Sequence, residues 1–273
     1  MGPTHCVRPR ASCWRDFLQN LTISLIVAII VLEAAMATYP GGKNGSGVYQ
    51  KIINQMPPHD VYIEAFVGGG AVMRLKRPAS SSIVIDVDGD VCEMWWHDDG
   101  LSPDVTVIND DAISCLLRHV EAKKKDGLDV LVYADPPYLG STRVSDRPIY
   151  KHEMTSDEDH LELLTMLKAL PCMVMISGYL SDLYSRELKD WRSISFQSMT
   201  RGGFAATEYL WMNYPQPFEL HDYQYLGENF RERERIKKKQ LRWRARLKSM
   251  PATERYALLE AVNIVRDGVV RSE

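Results

Sequence analysis

Short apolar runs, many of them β-branched, alternate along the chain with longer amphipathic windows. The runs predict seven strands, at Val61–Phe66, Ser82–Val87, Val105–Asn109, Val130–Ala134, Cys172–Ser177, Ser193–Met199 and Glu208–Asn213. The windows between the early strands predict helices, at about 46–55, 71–77, 89–98, 111–124, 156–170 and 180–189. This alternation is typical of a mostly parallel sheet covered on both faces, so we expect an α/β fold.

The end of the chain follows another pattern. Only Thr200–Thr207 joins the last two predicted strands, which is too short for a parallel crossover, so these strands should be antiparallel. Residues 228–249 and 252–266 then predict two helices outside the sheet. We expect a catalytic domain over 36–215 and a helical tail over 216–273.

The N-terminal stretch does not fit this domain. Leu21–Leu32 is apolar except for Thr22 and Ser24, but a spanning helix needs about 20 such residues. An upstream extension over residues 1–35, with the working protein starting at Met36, is the interpretation we favour. A buried helix and a signal or anchor segment are the alternatives.

Charge is distributed unevenly. The chain has 33 basic and 36 acidic residues, yet residues 231–248 hold ten Lys or Arg and two Glu. A basic segment on an acidic body suggests phosphate contacts with a nucleic acid, although a solvated helix is the plain alternative. The five cysteines form no metal-binding spacing, which favours a cytoplasmic protein without a structural metal.

Candidate ligand contacts follow the first three predicted strands, at the edge where sheets of this kind bind ligands. Gly68, Gly69 and Gly70 form a turn that lets a ligand approach the backbone. Asp86 closes the second strand and could accept hydrogen bonds from ribose hydroxyls, whereas Asp88 could instead cap the next helix. After the third strand, either Asp110 or Asp111 could contact an adenine while the other caps a helix.

The fourth predicted strand runs into the tetrapeptide Asp135-Pro136-Pro137-Tyr138. The two prolines make the turn rigid, so the Asp135 carboxylate and the Pro136 carbonyl can face one point. Two fixed acceptors suit an exocyclic amine, and the Tyr138 ring offers a face on which a planar base can stack. This turn is the most informative feature of the sequence.

Three motifs in this order carry a resemblance: Tyr-Pro-Gly-Gly-Lys at 39–43, Glu-Ala-Phe-Val-Gly-Gly-Gly at 64–70, and Asp-Pro-Pro-Tyr at 135–138. The chain resembles the Dam-like family of S-adenosylmethionine-dependent DNA N6-adenine methyltransferases, particularly its short phage and prophage members. The resemblance implies a Rossmann-like, seven-stranded methyltransferase sheet with an antiparallel last hairpin. It covers about residues 39–214.

The resemblance also implies roles for individual residues. Those expected at the cofactor, S-adenosylmethionine, are Tyr39, Gly41, Gly42, Lys43, Phe66, Gly68, Gly70, Asp86 and Asp111. Those expected to hold the target adenine are Asp135, Pro136 and Tyr138. Ala65 stands where the family often has proline, and residues 112–134 leave no room for the DNA-recognition domain of longer members.

These observations predict an enzyme that methylates N6 of an adenine flipped out of DNA. An N4-cytosine or RNA N6-adenine enzyme, or a nucleic-acid-binding protein without turnover, are the alternatives. A membrane-anchored interaction protein would depend on Leu21–Leu32 alone, and no membrane partner is expected. DNA should contact the basic tail or the loop after Tyr138, where Arg143, Arg147 and Lys151 stand.

Overall fold

The computed structural model describes residues 42–45, 47–143, 150–199 and 205–270. Seven strands lie in this part of the chain: β1 Val61–Ala65, β2 Ser81–Asp86, β3 Val105–Asn109, β4 Val130–Ala134, β5 Met173–Gly178, β6 Arg192–Met199 and β7 Ala205–Met212. Each coincides with a predicted strand to within three residues at either end. The largest difference is at β7, which begins three residues early because the hairpin pairing continues to Ala205.

Eight α-helices lie in the same described residues. They are α1 Val48–Ile53, α2 Ala71–Leu75, α3 Gly89–Trp96, α4 Ala112–Lys125, α5 Asp157–Ala169, α6 Asp182–Glu187, α7 Phe230–Ser249 and α8 Ala252–Val270. Side-chain caps fix where several of them begin. Asp88 accepts from the backbone N–H of Asp90 at α3, and Asp111 accepts from that of Ser114 at α4, so each satisfies a donor that the first turn leaves unpaired.

The strands form one sheet in the order β3-β2-β1-β4-β5-β7-β6. The first five strands are parallel, whereas β7 runs antiparallel to both β5 and β6. The predicted α/β class and the antiparallel last hairpin are therefore confirmed. Strand order reverses between β1 and β4, and ligands of such sheets bind beyond the carboxyl ends of the strands at this point.

Burial explains why the central strands have almost continuous apolar sequences. Every residue of β1 and β4 is buried, because helices cover both faces of the sheet there. Glu64 is the one charged side chain of β1 and is an exception to this apolar pattern, since its carboxylic acid is only 3% exposed. The edge strand β6 instead alternates between exposed and more buried positions.

The chain divides into two compact units, the first ending at His221 and the second running from Asp222 to Glu273. The first contains the whole sheet. The second contains α7 and α8, and no residue of α7 is buried. Among the described residues, no helix is long and apolar enough to cross a bilayer. The apolar run Leu21–Leu32 lies outside the described residues.

Candidate active site

Asp135 leaves the carboxyl end of β4, beside the point where strand order reverses. Its Oδ1 lies 2.8 Å from the Lys43 ammonium and accepts a 2.6 Å hydrogen bond from the Ser177 hydroxyl. Ser177 in turn lies on the neighbouring strand β5, 3.0 Å from the hydroxyl of Tyr133. Burial raises the pKa of the Asp135 carboxyl, and its contacts with Lys43 and Ser177 oppose that rise.

Lys43 reaches the candidate catalytic turn, Asp135–Tyr138, from the segment that precedes α1. Its side chain is 5% exposed, and its Nζ donates a 2.6 Å hydrogen bond to the Tyr138 hydroxyl in addition to the contact with Asp135. The same ammonium lies 3.3 Å from Oε2 of Glu208 on β7. Burial lowers the pKa of Lys43, but the two carboxylates outweigh burial and hold it well above the ordinary value. Lys43 is therefore a buried cation.

Tyr138 is fixed at both its hydroxyl and its ring. The hydroxyl donates a 2.8 Å hydrogen bond to Glu208, while the ring packs against that of Tyr179, with 4.4 Å between centroids and a 57° tilt. Tyr179 follows β5, as the sequence places it. A ring held this way cannot rotate freely, so the turn presents it in one orientation.

The glycine turn after β1 contains a non-glycine residue with an unusual backbone conformation. Phe66 has φ of 60°, and it is the one non-glycine residue with positive φ among those the structure describes. Gly70 has φ of 59°, and a Cβ there would lie 2.6 Å from Cη2 of the buried Trp95. The Trp95 indole also donates a 2.9 Å hydrogen bond to the Gly68 carbonyl. Gly70 is thus required both by its φ and by the tryptophan packed against the turn.

Asp86 ends β2 and faces this turn. Its Oδ2 accepts from the backbone N–H of Gly68 at 2.9 Å, and its Oδ1 accepts from that of Asp88 at 3.0 Å. Burial raises the pKa of Asp86, and the two backbone hydrogen bonds oppose that rise. Each carboxylate oxygen retains a second lone pair, so Asp86 can still accept from a hydroxyl. Asp88 caps α3, as its alternative reading from sequence allowed.

A cavity of about 260 Å³ opens at the carboxyl ends of these strands. Phe66, Asp86 and Asp111 from the predicted cofactor set line it, together with Ile113 and with Pro137 of the catalytic turn. Asp111 also caps α4. The sequence predicted that one of the two acids after β3 would contact a ligand and the other would cap the helix, whereas Asp111 both caps the helix and lines the cavity. Asp110 instead lies 3.5 Å from Arg118.

Residues 150–154 form the opposite wall of the cavity. Lys151 reaches across to Asp88 at 3.1 Å and to Asp90 at 2.8 Å. Arg143, expected beside Lys151 as a DNA-facing cation, is 8% exposed and paired with Glu153 at 2.6 Å. Its Nε also donates to the Tyr138 carbonyl at 2.7 Å, so the guanidinium is already held within the fold, and a DNA contact at Arg143 stays a prediction. Arg147 lies outside the described residues.

Comparison with known proteins shows which protein family this part of the chain matches. Residues 104–200, which contain β3 to β6 and the catalytic turn, match the family of D12 class N6 adenine-specific DNA methyltransferases. The chain is a methyltransferase with a D12 class segment. The match, which contains the Asp-Pro-Pro-Tyr motif at 135–138, confirms the resemblance and with it an enzyme that uses S-adenosylmethionine. No curated protein sequence matches the chain.

Several solved structures are similar to the methyltransferase. The 23S rRNA methyltransferase ErmE is 11% identical, with 69% of this chain and 81% of that chain covered and a TM-score of 0.39. The N-methyltransferase NodS from Bradyrhizobium japonicum is 9% identical, with 61% and 93% covered and a TM-score of 0.42. A Streptococcus mutans protein solved in complex with SAH is 15% identical, with 63% and 99% covered and a TM-score of 0.39.

The cavity of the methyltransferase has the chemistry that this cofactor requires. The Asp86 carboxylate suits ribose hydroxyls, and the apolar side chains of Phe66 and Ile113 suit the flat faces of an adenine ring. The turn at Gly70 has no space for a Cβ, as expected where a backbone comes close to its neighbours. No cluster of His, Cys, Asp and Glu that could hold a metal ion lies in the described part of the methyltransferase.

The predicted and observed sites of the methyltransferase differ at its N-terminal loop. Tyr39 and Gly41 lie outside the described residues, and Gly42 is exposed. Lys43, expected beside the cofactor, contacts Asp135, and its place at the cofactor stays a prediction. Sequence reasoning assigned no role to Ser177 or Glu208. Ser177 could have been found as a hydroxyl near the carboxyl end of a strand, and Glu208 as a charged residue before an apolar run.

Proposed function

We propose that this methyltransferase transfers a methyl group from S-adenosylmethionine to N6 of an adenine in DNA. The observation that carries the proposal is the Asp135 carboxylate, held at Oδ1 by Lys43 and Ser177 on a rigid turn whose Pro137 lines the cavity. An acceptor fixed beside the methyl donor's cavity is what an exocyclic amine needs in order to be positioned for attack. The family match at 104–200 supports the choice of adenine and DNA.

The residues of the catalytic turn would divide the work. Bound S-adenosylmethionine supplies a methyl group on a positively charged sulfur. Asp135 and the Pro136 carbonyl would each accept a hydrogen bond from one N6–H, which draws the nitrogen toward tetrahedral geometry and makes its lone pair available. Tyr138 would stack against the base and offset part of the cost of taking it out of the duplex, about a few kcal/mol.

On the cofactor side, Asp86 would accept from the ribose hydroxyls and Asp111 from the adenine amine of S-adenosylmethionine. Phe66, Gly68 and Gly70 would form the wall between the cofactor and β1. Gly68 supports this role indirectly, because its N–H fixes the Asp86 carboxylate while its carbonyl accepts from Trp95. With these assignments the cofactor would lie beside Pro137, which lines the same cavity as Asp86 and Asp111.

The DNA-binding surface would include α7. This helix carries the ten cations of residues 231–248, all on a helix without a buried residue. Trp243 lies among them, 49% exposed and 5.6 Å from the Arg246 guanidinium. Lysine and arginine on an exposed helix bind phosphates irrespective of sequence, which a chain without the larger recognition domain would need. A cytoplasmic location remains a prediction.

The test is direct. Unmethylated DNA, and RNA of the same sequence, are each incubated with methyl-labelled S-adenosylmethionine and then digested to nucleosides. Label in N6-methyladenine from DNA supports the proposal. Label in N4-methylcytosine, or in adenine from RNA alone, replaces it with one of the two related activities. DNA binding without label supports a protein of this fold without turnover.

A further inference from the structure

Three charged side chains meet beneath the catalytic turn, and their charges do not cancel. Lys43 supplies one ammonium, whereas Asp135 and Glu208 supply two carboxylates at 2.8 and 3.3 Å from it. Glu208 is 6% exposed. Because Lys43 has a raised pKa and Glu208 a lowered one, the cluster carries a net charge of about −1 with Asp135 ionised. For Glu208, burial raises the pKa and the Lys43 ammonium outweighs it.

A second carboxylate is not needed to satisfy Lys43. Asp135 alone would neutralise the ammonium, and burying a further carboxylate carries a desolvation cost. Glu208 nevertheless has several partners, since it accepts from Tyr138 at 2.8 Å and from the Ser198 hydroxyl. The protein therefore maintains an excess negative charge directly behind the residues that would hold the target base.

Such a charge suits the proposed transfer of a methyl group to adenine N6, and this inference depends on that proposed function. The N6 lone pair forms the new N–CH₃ bond as the S–CH₃ bond breaks, and the electron pair of that bond stays on sulfur. Positive charge consequently develops on N6 before one N6 proton passes to the Asp135 carboxylate and on to water. A fixed negative charge nearby stabilises this developing positive charge, and more so in a buried site than in water.

We propose that Glu208 is a positioning residue of the methyl-transfer site, which acts through Lys43 and Tyr138. It does not contact the base. Its carboxylate shares the Lys43 ammonium with Asp135, so Asp135 keeps more of its negative charge for the adenine amine. Through its hydrogen bond with the Tyr138 hydroxyl, it also fixes the ring on which the base stacks.

Other titratable groups face Asp135 from every neighbouring element. The charged ones besides Glu208 are Lys43 and, when ionised, Glu64 of β1. The rest are tyrosine hydroxyls whose pKa burial raises, so they stay neutral near pH 7: Tyr62, Tyr133, Tyr138, Tyr150, Tyr179 and Tyr184. Burial is the main cause that raises the pKa of Asp135, and the negative charge of Glu208 adds to it.

The experiment compares Glu208→Gln with the parent protein and with Glu121→Gln, a matched loss of charge on the exposed face of α4. We expect kcat for methyl transfer to fall about 10- to 100-fold in Glu208→Gln, with the Kd of S-adenosylmethionine changed less than twofold. The acidic limb of the kcat profile should move to lower pH, because Asp135 loses a repelling neighbour. A structural defect alone would lower kcat without moving this limb.

A second measurement does not depend on activity. Carboxyl-carbon NMR titration of ¹³C-labelled protein should show Asp135 titrating at lower pH in Glu208→Gln than in the parent, and unchanged in Glu121→Gln. Glu208→Asp, with its charge one methylene further away, should give a smaller shift in the same direction, and it carries the test if the glutamine variant does not fold. An Asp135 titration that neither variant moves overturns the proposal, whichever nucleoside the parent methylates. Failure of the parent to methylate adenine instead rejects the proposed function.

Discussion

The Ser177 hydroxyl and the Lys43 ammonium bind the same oxygen of Asp135, at 2.6 and 2.8 Å. Both contacts are on Oδ1, so Oδ2 lies outside them. The two donors come from β5 and from the segment before α1, which fixes the carboxylate from two directions. A carboxylate anchored through one oxygen presents the other at a defined position, as hydrogen bonding to a reacting amine requires.

Asp135→Ala should therefore abolish methyl transfer while cofactor binding persists. The substitution removes the acceptor for the target amine and leaves Asp86 and the glycine turn unchanged. Methyl transfer to DNA is measured with labelled S-adenosylmethionine, and cofactor affinity by calorimetry. Turnover within tenfold of the parent would be inconsistent with the role assigned to Asp135. Ser177→Ala, which leaves the carboxylate in place, should lose less activity.

Lys43→Met should destabilise the fold by about 3–5 kcal/mol, because it leaves two buried carboxylates without their counter-ion. In this variant the carboxylates of Asp135 and Glu208 should bind protons more readily folded than unfolded, so its stability should fall as pH rises. Urea unfolding at pH 5 and pH 8 measures both effects. Lys125→Met, on the exposed end of α4, is the control and should stay within about 0.5 kcal/mol of the parent. Equal losses for the two variants would reject the buried-cation interpretation.

Asp86→Asn should weaken S-adenosylmethionine binding by about 1.5–3 kcal/mol, the range for hydrogen bonds to a charged group. The amide keeps the size of the side chain, so the turn at Gly68 can retain most of its shape. Asp99→Asn, exposed in the turn after α3, is the control and should leave the affinity unchanged. Calorimetry that shows the same Kd for Asp86→Asn and the parent would place the ribose contact elsewhere, with Asp88 as the next candidate.

Glu64 makes the stability of the protein depend on pH. Burial raises the pKa of this carboxyl to about 7, although the Tyr62 hydroxyl donates to it at 2.7 Å and opposes the rise. Because the unfolded chain ionises near the ordinary value of 4.5, the folded state binds more protons between the two values and its stability falls as pH rises through them. Glu64→Gln removes this titration. As pH rises from 4.5 to 7, the free energy of unfolding of the parent should therefore fall by up to about 3 kcal/mol relative to that of the variant. Unfolding curves for both proteins over this range test it, and parallel pH dependences would contradict it.

Truncation after Asn229 removes α7 and α8 and should weaken DNA binding for every sequence. If α7 neutralises phosphates, each lost contact reduces the slope of log K against log salt by about 0.9 on duplex DNA. Truncation after Met250 removes α8 alone, so it should leave this slope unchanged. Cofactor affinity should be unaffected in both shortened chains, since the cavity lies in the first unit. An unaltered slope after the longer truncation would mean that α7 is a solvated helix.

The strands could be predicted because burial on both faces makes them nearly continuous apolar runs, as β1 and β4 show. The catalytic turn and Asp86 could be predicted because parallel strands bring their carboxyl ends to one edge. In both cases the information is local. A short sequence window contains the strand, its end and the polar residue that follows, so no long-range contact has to be known.

The contacts that were missed are long-range. Lys43 precedes the first strand and Glu208 lies in the last one, so the two residues are far apart in sequence. They come together only because β7 lies antiparallel next to β5. The contact of Lys43 with Asp135 could not be predicted for the same reason, since nothing near Lys43 in sequence indicates Asp135. The pairing of Arg143 with Glu153 could not be predicted either, because no pattern in the sequence links the two residues.

Phe66 holds a conformation that its own side chain disfavours, with φ of 60° at the wall of the cavity proposed for the cofactor. A bulky residue in the left-handed region costs about 1–3 kcal/mol, which the rest of the fold must offset. Glycine at this position would relieve the strain but remove the ring from the wall. Selection for thermal robustness alone should therefore favour Phe66→Gly, and the resulting chain should be harder to melt and poorer at retaining its methyl donor.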